Sequence, residues 1–528
     1  MLSFDSLNLP AHACKSKRIL ICEAWNLTPH LETGLEIAIQ LANSGSSIDY
    51  LHIGDIIPNF ELQNHRGAGK REKLLGYWMT PQARASSVLN QLSNKLKLDI
   101  RVLDPADYRP YVYSSFKLDR NLHSLDQLLA LTWSESPLFG ISIVSTLASM
   151  IRDSEINLSE HIPLIEGLAN IYISSFNIVS HLLASTSYSS LILFNGRLTS
   201  VKGMVAASTD ASVPVLYHER GASSSRFVLQ SYQTHDALKV QNHMLSQWNQ
   251  NVHLEQTHSI ANSFFHNQSA GKDTFWTNAA FNDANYSELS SIIMKARSCS
   301  PKQIVVAFFP SCDDEFLSVG DVFQGKKYEW IDQLEALSVL ISIINELGFS
   351  LIVRNHPGLS SKSTRLQLQW DELQASDQIF DDVIFIPSTS SISSYHLLDG
   401  VDAVVSYGST IGIEAVYRSK PSIIMCDAFY DSIGATVYQP TNIQELKETL
   451  KSIQDLLVVP ESALPFGYHS MTNGHKYIYY QPDGLYDGTF CGHRFNHYPV
   501  TPLHSFLSHS KHYLRSCLSL FRYPSTIQ

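Results

Sequence analysis

Gly408, Ser409 and Thr410 give this sequence its clearest chemistry. They follow the apolar run Ala403-Val404-Val405 and precede a helical segment, Ile411 to Ser419, with Ile411, Ala415 and Val416 on one side and Glu414 near its start. A small-residue turn between a buried strand and a helix start leaves backbone N–H groups without helical partners, and such a turn takes an anion. Ser409 or Thr410 is suited to cap the helix. Lys420-Pro421 ends it, and Ser422 to Met425 reads as the next strand, so 399–425 forms a βαβ unit. A plain tight turn would show the same letters, so the chemistry depends on what the other strand ends supply.

They supply several polar clusters. Glu23-Ala24-Trp25 follows the short strand Ile19 to Cys22; Asn195-Gly196-Arg197 follows Ser190 to Phe194; His218-Glu219-Arg220-Gly221 follows Val213 to Tyr217. Pro310-Ser311, with Asp313-Asp314-Glu315 behind it, follows Ile304 to Phe309; Arg354-Asn355-His356-Pro357-Gly358 follows Phe349 to Val353. In open α/β sheets ligands bind outside the carboxyl ends of the strands. Each cluster also has a structural reading. Glu219 and Arg220 can pair with each other, Arg197 can be structural, Arg354 can meet a carboxylate, and His356 can cap a turn. Three adjacent acids in a loop are usually solvated or cap the next helix rather than hold a metal. The sequence has no H-E-x-x-H, P-loop or G-x-G-x-x-G pattern, which weighs against a metalloprotease, a kinase or a dinucleotide enzyme.

The elements that position these clusters alternate. Leu31 to Asn43 has helical periodicity between two strands, the second being Ile48 to Ile53. Helical segments follow over 81–96, 122–132, 138–152 and 162–183, with a strand at 98–103 and a crossover helix at 200–209. A polar stretch, 243–300, has one helix from about Tyr286 to Arg297. A second α/β series starts at Gln303, with helices at 330–347 and 442–453 and a strand at 383–386. The fold class is α/β, with an N-terminal domain at 1–265, a linker region at 266–300, a C-terminal domain at 301–455 and an extension at 456–528 that packs back on the body. A terminal helix is expected over His504 to Phe521, with a membrane-surface helix as its alternative.

Composition bounds the function. At 528 residues the chain exceeds one core, and 38 basic against 49 acidic residues give a net charge of −11, so nucleic acid is not an expected partner. The 7 cysteines are scattered, as reduced thiols would be. The N-terminus has no apolar h-region, so no signal peptide is expected, and 167–196 reads as a helix then a strand rather than a span.

Arg354-Asn-His356-Pro357 and Ser406-x-Gly408-Ser409-Thr410 together resemble the His-Pro and Ser/Thr motifs of GT-B glycosyltransferases of the bacterial capsule-polysaccharide type, including polysialyltransferases, Kdo transferases and CDP-glycerol polymerases. The likeness is best over 303–453. It implies two Rossmann-like domains facing across a cleft, a nucleotide-sugar donor (a CMP-sugar favoured) and a polysaccharide or glycolipid acceptor, with no cofactor. Carried over, His356, Ser409, Thr410 and Gly408 hold the donor phosphate, with Arg354 and Ser311 beside them, and Glu414 sits where many such proteins bind sugar or ribose hydroxyls. Ser422 stands where retaining members often place a second glutamate, which favours inversion. No D-x-D triplet occurs, so no metal is expected. Inversion needs a base: Glu219 first, Glu23 second, then Asp55 or Asp314. Asn195, Arg197 and Arg220 are expected to meet the acceptor or an anion. A sugar-nucleotide epimerase resembling UDP-GlcNAc 2-epimerases and a non-catalytic glycan-binding subunit are the alternatives. The expected location is cytoplasmic, with peripheral attachment to other capsule-assembly proteins at the inner membrane face as a further option.

Overall fold

Strands of a parallel sheet are covered on both faces and so are apolar along their whole length. Val305–Phe309 (β7) has that character throughout and Arg18–Glu23 (β1) has it from Ile19 to Cys22, and each lies at the heart of one sheet. The computed structural model describes residues 18–25, 28–54, 56–57, 61, 81–118, 122–270, 286–311, 313–319, 327–376, 382–484, 488–491 and 493–494. The chain divides into two units: 1–150, 157–234 and 474–528 form the first, and 151–156 with 235–473 the second.

In the first unit, β1 is followed by Ser47–His52 (β2), Ile100–Val102 (β3), Ser190–Phe194 (β4), Val215–Arg220 (β5) and Arg226–Gln230 (β6). The sheet runs β6-β5-β4-β1-β2-β3, extended beyond β6 by His475–Lys476. β1 to β5 pair in parallel, whereas β6 is antiparallel to β5. Helix α1 (His30–Asn43) packs Leu31, Leu35 and Ile39 onto Ile19, Ile21 and Tyr50. Gly34 faces Glu23, where an added Cβ would lie 2.5 Å from a Glu23 carboxylate oxygen. The helix Ile162–Ser185 is long and apolar enough to cross a membrane by length and composition, and 56% of its most apolar window is buried. Gly203 of helix α2 (Thr199–Asp210) lets the two helices approach, since a Cβ there would meet Tyr172 O at 2.4 Å.

In the second unit, β7 is followed by Ser350–Arg354 (β8), Val383–Ile386 (β9), Ala403–Ser406 (β10), Ser422–Ile424 (β11) and Val437–Tyr438 (β12). The order is β12-β11-β10-β7-β8-β9, and the pairing is parallel throughout. Alternation along β7 divides the core: Val306 and Phe308 pack on one layer with Leu337, Leu340 and Ile344, and Val305, Ala307 and Phe309 on the other with Leu398, Ile411 and Ala415. Burying Phe308 completely contributes about 2–3 kcal/mol.

Each unit is an α/β Rossmann-like domain, but the boundaries differ from the sequence expectation. The first changes at 234/235, not 265, because Ala237–Asn251 and Glu255–Ser269 are helices that pack with Leu464–Thr472 in the second unit. Gly467 permits that contact, since its Cβ would lie 2.6 Å from Ala261 O. Phe265 stacks on Tyr417 at 4.0 Å. The extension therefore divides at 473/474: its first part completes the second unit, and its described residues from Gly474 onward join the first. There Glu36, fully buried, accepts the backbone N–H groups of Ile478, Tyr479 and Tyr480 at 2.8–2.9 Å. The expected helix at 504–521 lies outside the described residues.

Candidate functional site

Both sheets share a topological feature. From β1 the chain moves outward through β2 and β3, then returns to place β4 on the other side of β1; from β7 it moves through β8 and β9, then returns to place β10 beside β7. Such reversals open a crevice at the carboxyl ends of the two central strands. The crevice of the second unit is bordered by Pro310-Ser311 after β7 and by Tyr407 to Thr410 after β10, with the His356 turn one strand further on.

Gly408 adopts a φ of +68°, which a glycine takes without strain. The turn is held from below: the Tyr430 hydroxyl donates to Ser409 O at 2.6 Å, and a Cβ on Gly412 would lie 2.3 Å from that hydroxyl. Ser409 Oγ accepts from Ile411 N at 3.4 Å, a long contact. Thr410, exposed at the start of helix α3 (Ile411–Tyr417), makes no capping bond. Its hydroxyl donates instead to Glu414 Oε1, 3.1 Å away. The helix stops before Arg418, short of the expected Ser419, whose φ is +60°.

Glu414 is not placed to meet a sugar hydroxyl. It is 4% exposed, and burial pushes its carboxyl up to about 7, against the opposing pull of Tyr395, Thr410 and Arg418. Arg354 is corrected more sharply. It is buried and donates to three main-chain carbonyls, Asn355 O at 3.0 Å, Pro387 O at 2.7 Å and Ser390 O at 2.9 Å. It ties the turn after β8 to the loop after β9, and burial lowers its pKa to about 10. His356, half-buried, accepts from Gly358 N through Nδ1 at 3.0 Å. In the neutral ring the proton then sits on Nε2. The imidazole thus caps its own turn, with its N–H on the other edge of the ring. The chain after this turn is clamped by 151–156: Asp153 accepts from Ser363 Oγ at 2.6 Å and from Arg365 Nε at 3.0 Å. Ser311 is half-buried, and Asp313 begins the helix Asp313–Val319 and accepts from Gln333 N at 3.3 Å. Asp55 lies outside the described residues, as does the side chain of Asp314.

The crevice of the first unit lies between β1 and β4. Asn195 and Gly196 there adopt φ values of +56° and +86°. Asn195 Nδ2 donates to Glu219 Oε2 at 2.7 Å, the Arg220 N–H donates to Glu219 Oε1 at 2.9 Å, and His30 Nδ1 stands 3.8 Å from Oε1. Glu219 is a partly exposed carboxylate held in place by its neighbours, with no ion pair to the Arg220 side chain among the described contacts. Glu219 and Arg220 lie inside β5, paired with Val228 and Phe227 of β6, rather than in a turn after it. Glu23 differs. Its side chain is fully buried, with Oε1 2.6 Å from His218 Nε2, and burial raises its pKa while His218 opposes that rise. A group with no exposed surface does not reach an acceptor, so Glu23 is a partner of His218. Arg197 donates to Ser149 Oγ at 2.7 Å. The start of α2 already holds a carboxylate of the chain itself: Glu61 accepts from Ser200 N at 2.7 Å, from Ser200 Oγ at 2.5 Å and from Trp25 Nε1 at 3.1 Å.

Among the described residues no group of three or more His, Cys, Asp or Glu side chains is placed to hold a metal ion.

Residues 284–457 match the family model described as capsule polysaccharide biosynthesis protein. The match lies within the second unit. That match takes in β7 to β12, the His356 turn and the Gly408–Thr410 turn, and with two Rossmann-like units in one chain it supports a GT-B-like glycosyltransferase of the capsule type. No curated protein matches the chain. Solved structures it resembles include the Thermosulfurimonas dismutans KpsC, a beta Kdo 2,4 transferase, at 11% identity over 53% of this chain and 79% of that one, with a TM-score of 0.27. The UDP-GlcNAc 2-epimerase from Neisseria meningitidis is similar at 10% identity over 86% of this chain and 97% of that one, also at 0.27.

Proposed function

We propose that the protein transfers a sugar from a nucleotide-linked donor, a CMP-sugar in the first instance, to a capsule or surface polysaccharide, with inversion and without a metal. The observation that carries this reading is the grouping of Ser311, the His356 turn and the Gly408–Thr410 turn at the carboxyl edge of one parallel sheet, inside the region matched by the capsule-synthesis family. The donor phosphate lies over the Gly408–Thr410 turn, facing the N–H groups that begin α3, with His356 Nε2–H directed to it. Glu219 is the base. It takes the proton of the acceptor hydroxyl as that oxygen bonds to the anomeric carbon; the bond from that carbon to the phosphate oxygen breaks, and its electron pair leaves with the nucleotide. Fixed donors around the departing phosphate stabilise the charge that develops. Nucleotide-sugar donors place the reaction on the cytoplasmic side, and association with other capsule-assembly proteins at the inner membrane face accords with a polysaccharide acceptor.

The test is nucleotide release from CMP-, UDP-, GDP- and CDP-sugars, with and without acceptor glycan and with EDTA. Acceptor-dependent release that survives EDTA is expected. Release with an isomerised free sugar and no acceptor requirement would indicate an epimerase, and no release from any donor counts against catalysis.

A further inference from the structure

Thr410 and Glu414 sit one helical turn apart, the first exposed and the second buried, with 3.1 Å between hydroxyl and carboxylate. An ionised carboxylate only accepts hydrogen bonds, whereas a protonated one also donates, and a hydroxyl has a single proton to give. The direction of the Thr410 proton therefore follows the charge on Glu414. Building on the phosphate site proposed above, we infer that donor binding is coupled to protonation of Glu414: the protonated carboxyl donates to Thr410 Oγ1, and Thr410 turns its own proton outward to a phosphate oxygen. With Glu414 ionised that proton is drawn inward, and Thr410 presents only lone pairs to an anion.

The surroundings fit a group poised between the two states. Tyr395 from the helix Ser394–Gly400 and Arg418 at the end of α3 favour the charged form, burial favours the neutral one, and the outcome lies near neutrality. The charge of Arg418 is shared with Asp399, which it contacts, while its Nη2 donates to Ser269 Oγ at 2.7 Å. Tyr430, on the loop after β11, is the other titratable group that senses Glu414, and its hydroxyl is committed to Ser409 O. A bound phosphate adds a negative charge at Thr410, which pushes Glu414 further towards the protonated form. By linkage, a proton is then taken up from solvent whenever the ligand binds above the titration range of the free protein.

Calorimetric titration with the methyl phosphodiesters of CMP, UMP and GMP, whose phosphate does not titrate near neutrality, tests this in buffers of differing ionisation enthalpy. For the nucleotide that binds, the affinity of the wild type is expected to weaken by up to about tenfold per pH unit above neutrality, with uptake approaching one proton per ligand. Glu414→Gln, whose amide donates permanently, is expected to bind at every pH as tightly as the wild type does at low pH, with no uptake. Thr410→Val is expected to bind weakly at all pH values, and it provides the test if Glu414→Gln does not fold. A flat wild-type profile with no uptake overturns the coupling and leaves the phosphate site standing. An unchanged slope in either variant does the same. Absence of binding by all three probes overturns the coupling together with the phosphate site beneath it.

Discussion

His218 Nε2 lies 2.6 Å from Glu23 Oε1, and neither side chain has any exposed surface. Among the described residues Glu23 Oε2 and His218 Nδ1 have no hydrogen-bond partner, so this one contact carries the pair. Removing one member of a buried pair strands the other without a partner, at a cost of about 3–5 kcal/mol, whereas a neutral isostere keeps the shape. Glu23→Ala should therefore lower unfolding stability in urea by about that amount, and Glu23→Gln by much less. The pH dependence has a definite sign. The Glu23 pKa is raised in the folded state, so its contribution is fully present below the ordinary glutamate range and is lost as pH climbs through the raised value. Urea midpoints of the wild type should fall over that interval relative to Glu23→Gln; parallel curves would refute the assignment.

Glu36 makes a second testable joint. It accepts three consecutive backbone N–H groups from 478–480 and one from the Gln40 amide at 2.7 Å. Each buried donor left without an acceptor costs about 1–3 kcal/mol. Glu36→Ala should detach the segment after Gly474 before the rest of its unit unfolds. Hydrogen exchange at 475–482 should then quicken by at least tenfold while β1 and β4 stay protected, and equal protection of the segment would contradict the role.

Arg354 provides a contrast between binding and architecture. Hydrogen bonds from a charged donor are worth about 1.5–3 kcal/mol each before the desolvation of the guanidinium is set against them. Arg354→Lys cannot reach three carbonyls in that fork, so it should lower the melting temperature by several degrees. The KM for the donor should stay within about twofold of the wild type in the folded enzyme, whereas a phosphate ligand would show a rise of tenfold or more. The measurement is a thermal melt beside steady-state kinetics at a temperature where the variant is folded.

What the sequence reveals and what it hides follows the range of each interaction. The buried strands announce themselves as apolar runs: β7, β8 and β10 lie within two residues of the expected ends, because parallel strands exclude polar side chains on both faces. The Gly408 turn is equally legible, since a positive φ between strand and helix calls for glycine. Glu61 is not legible: its partner Ser200 is 139 positions away, and no spacing rule links them. The same holds for the unit boundary, which depends on Gly467 meeting Ala261. Arg354 misleads because its partners are main-chain carbonyls, which every sequence supplies, and Glu219 because β6 extends β5 through residues that look like a turn.

Glu219 is the base in the reaction proposed above. Its two oxygens take hydrogen bonds from Asn195 Nδ2 at 2.7 Å and Arg220 N at 2.9 Å, so its orientation depends on the left-handed turn at Asn195 and Gly196. A general base contributes about 10²–10⁴ in rate. Glu219→Gln keeps the size and the Arg220 N–H contact but cannot take a proton; kcat should fall by about that factor with donor binding unchanged. Asn195→Ala leaves the carboxylate present but less well held, and a smaller loss, about tenfold, is expected. Together the two variants separate base from positioning group: with acceptor saturating, the loss in kcat should be at least tenfold greater in the Gln variant than in the Ala variant. If Glu219→Gln turns over at the wild-type rate, the base lies elsewhere and the carboxylate serves only the loop.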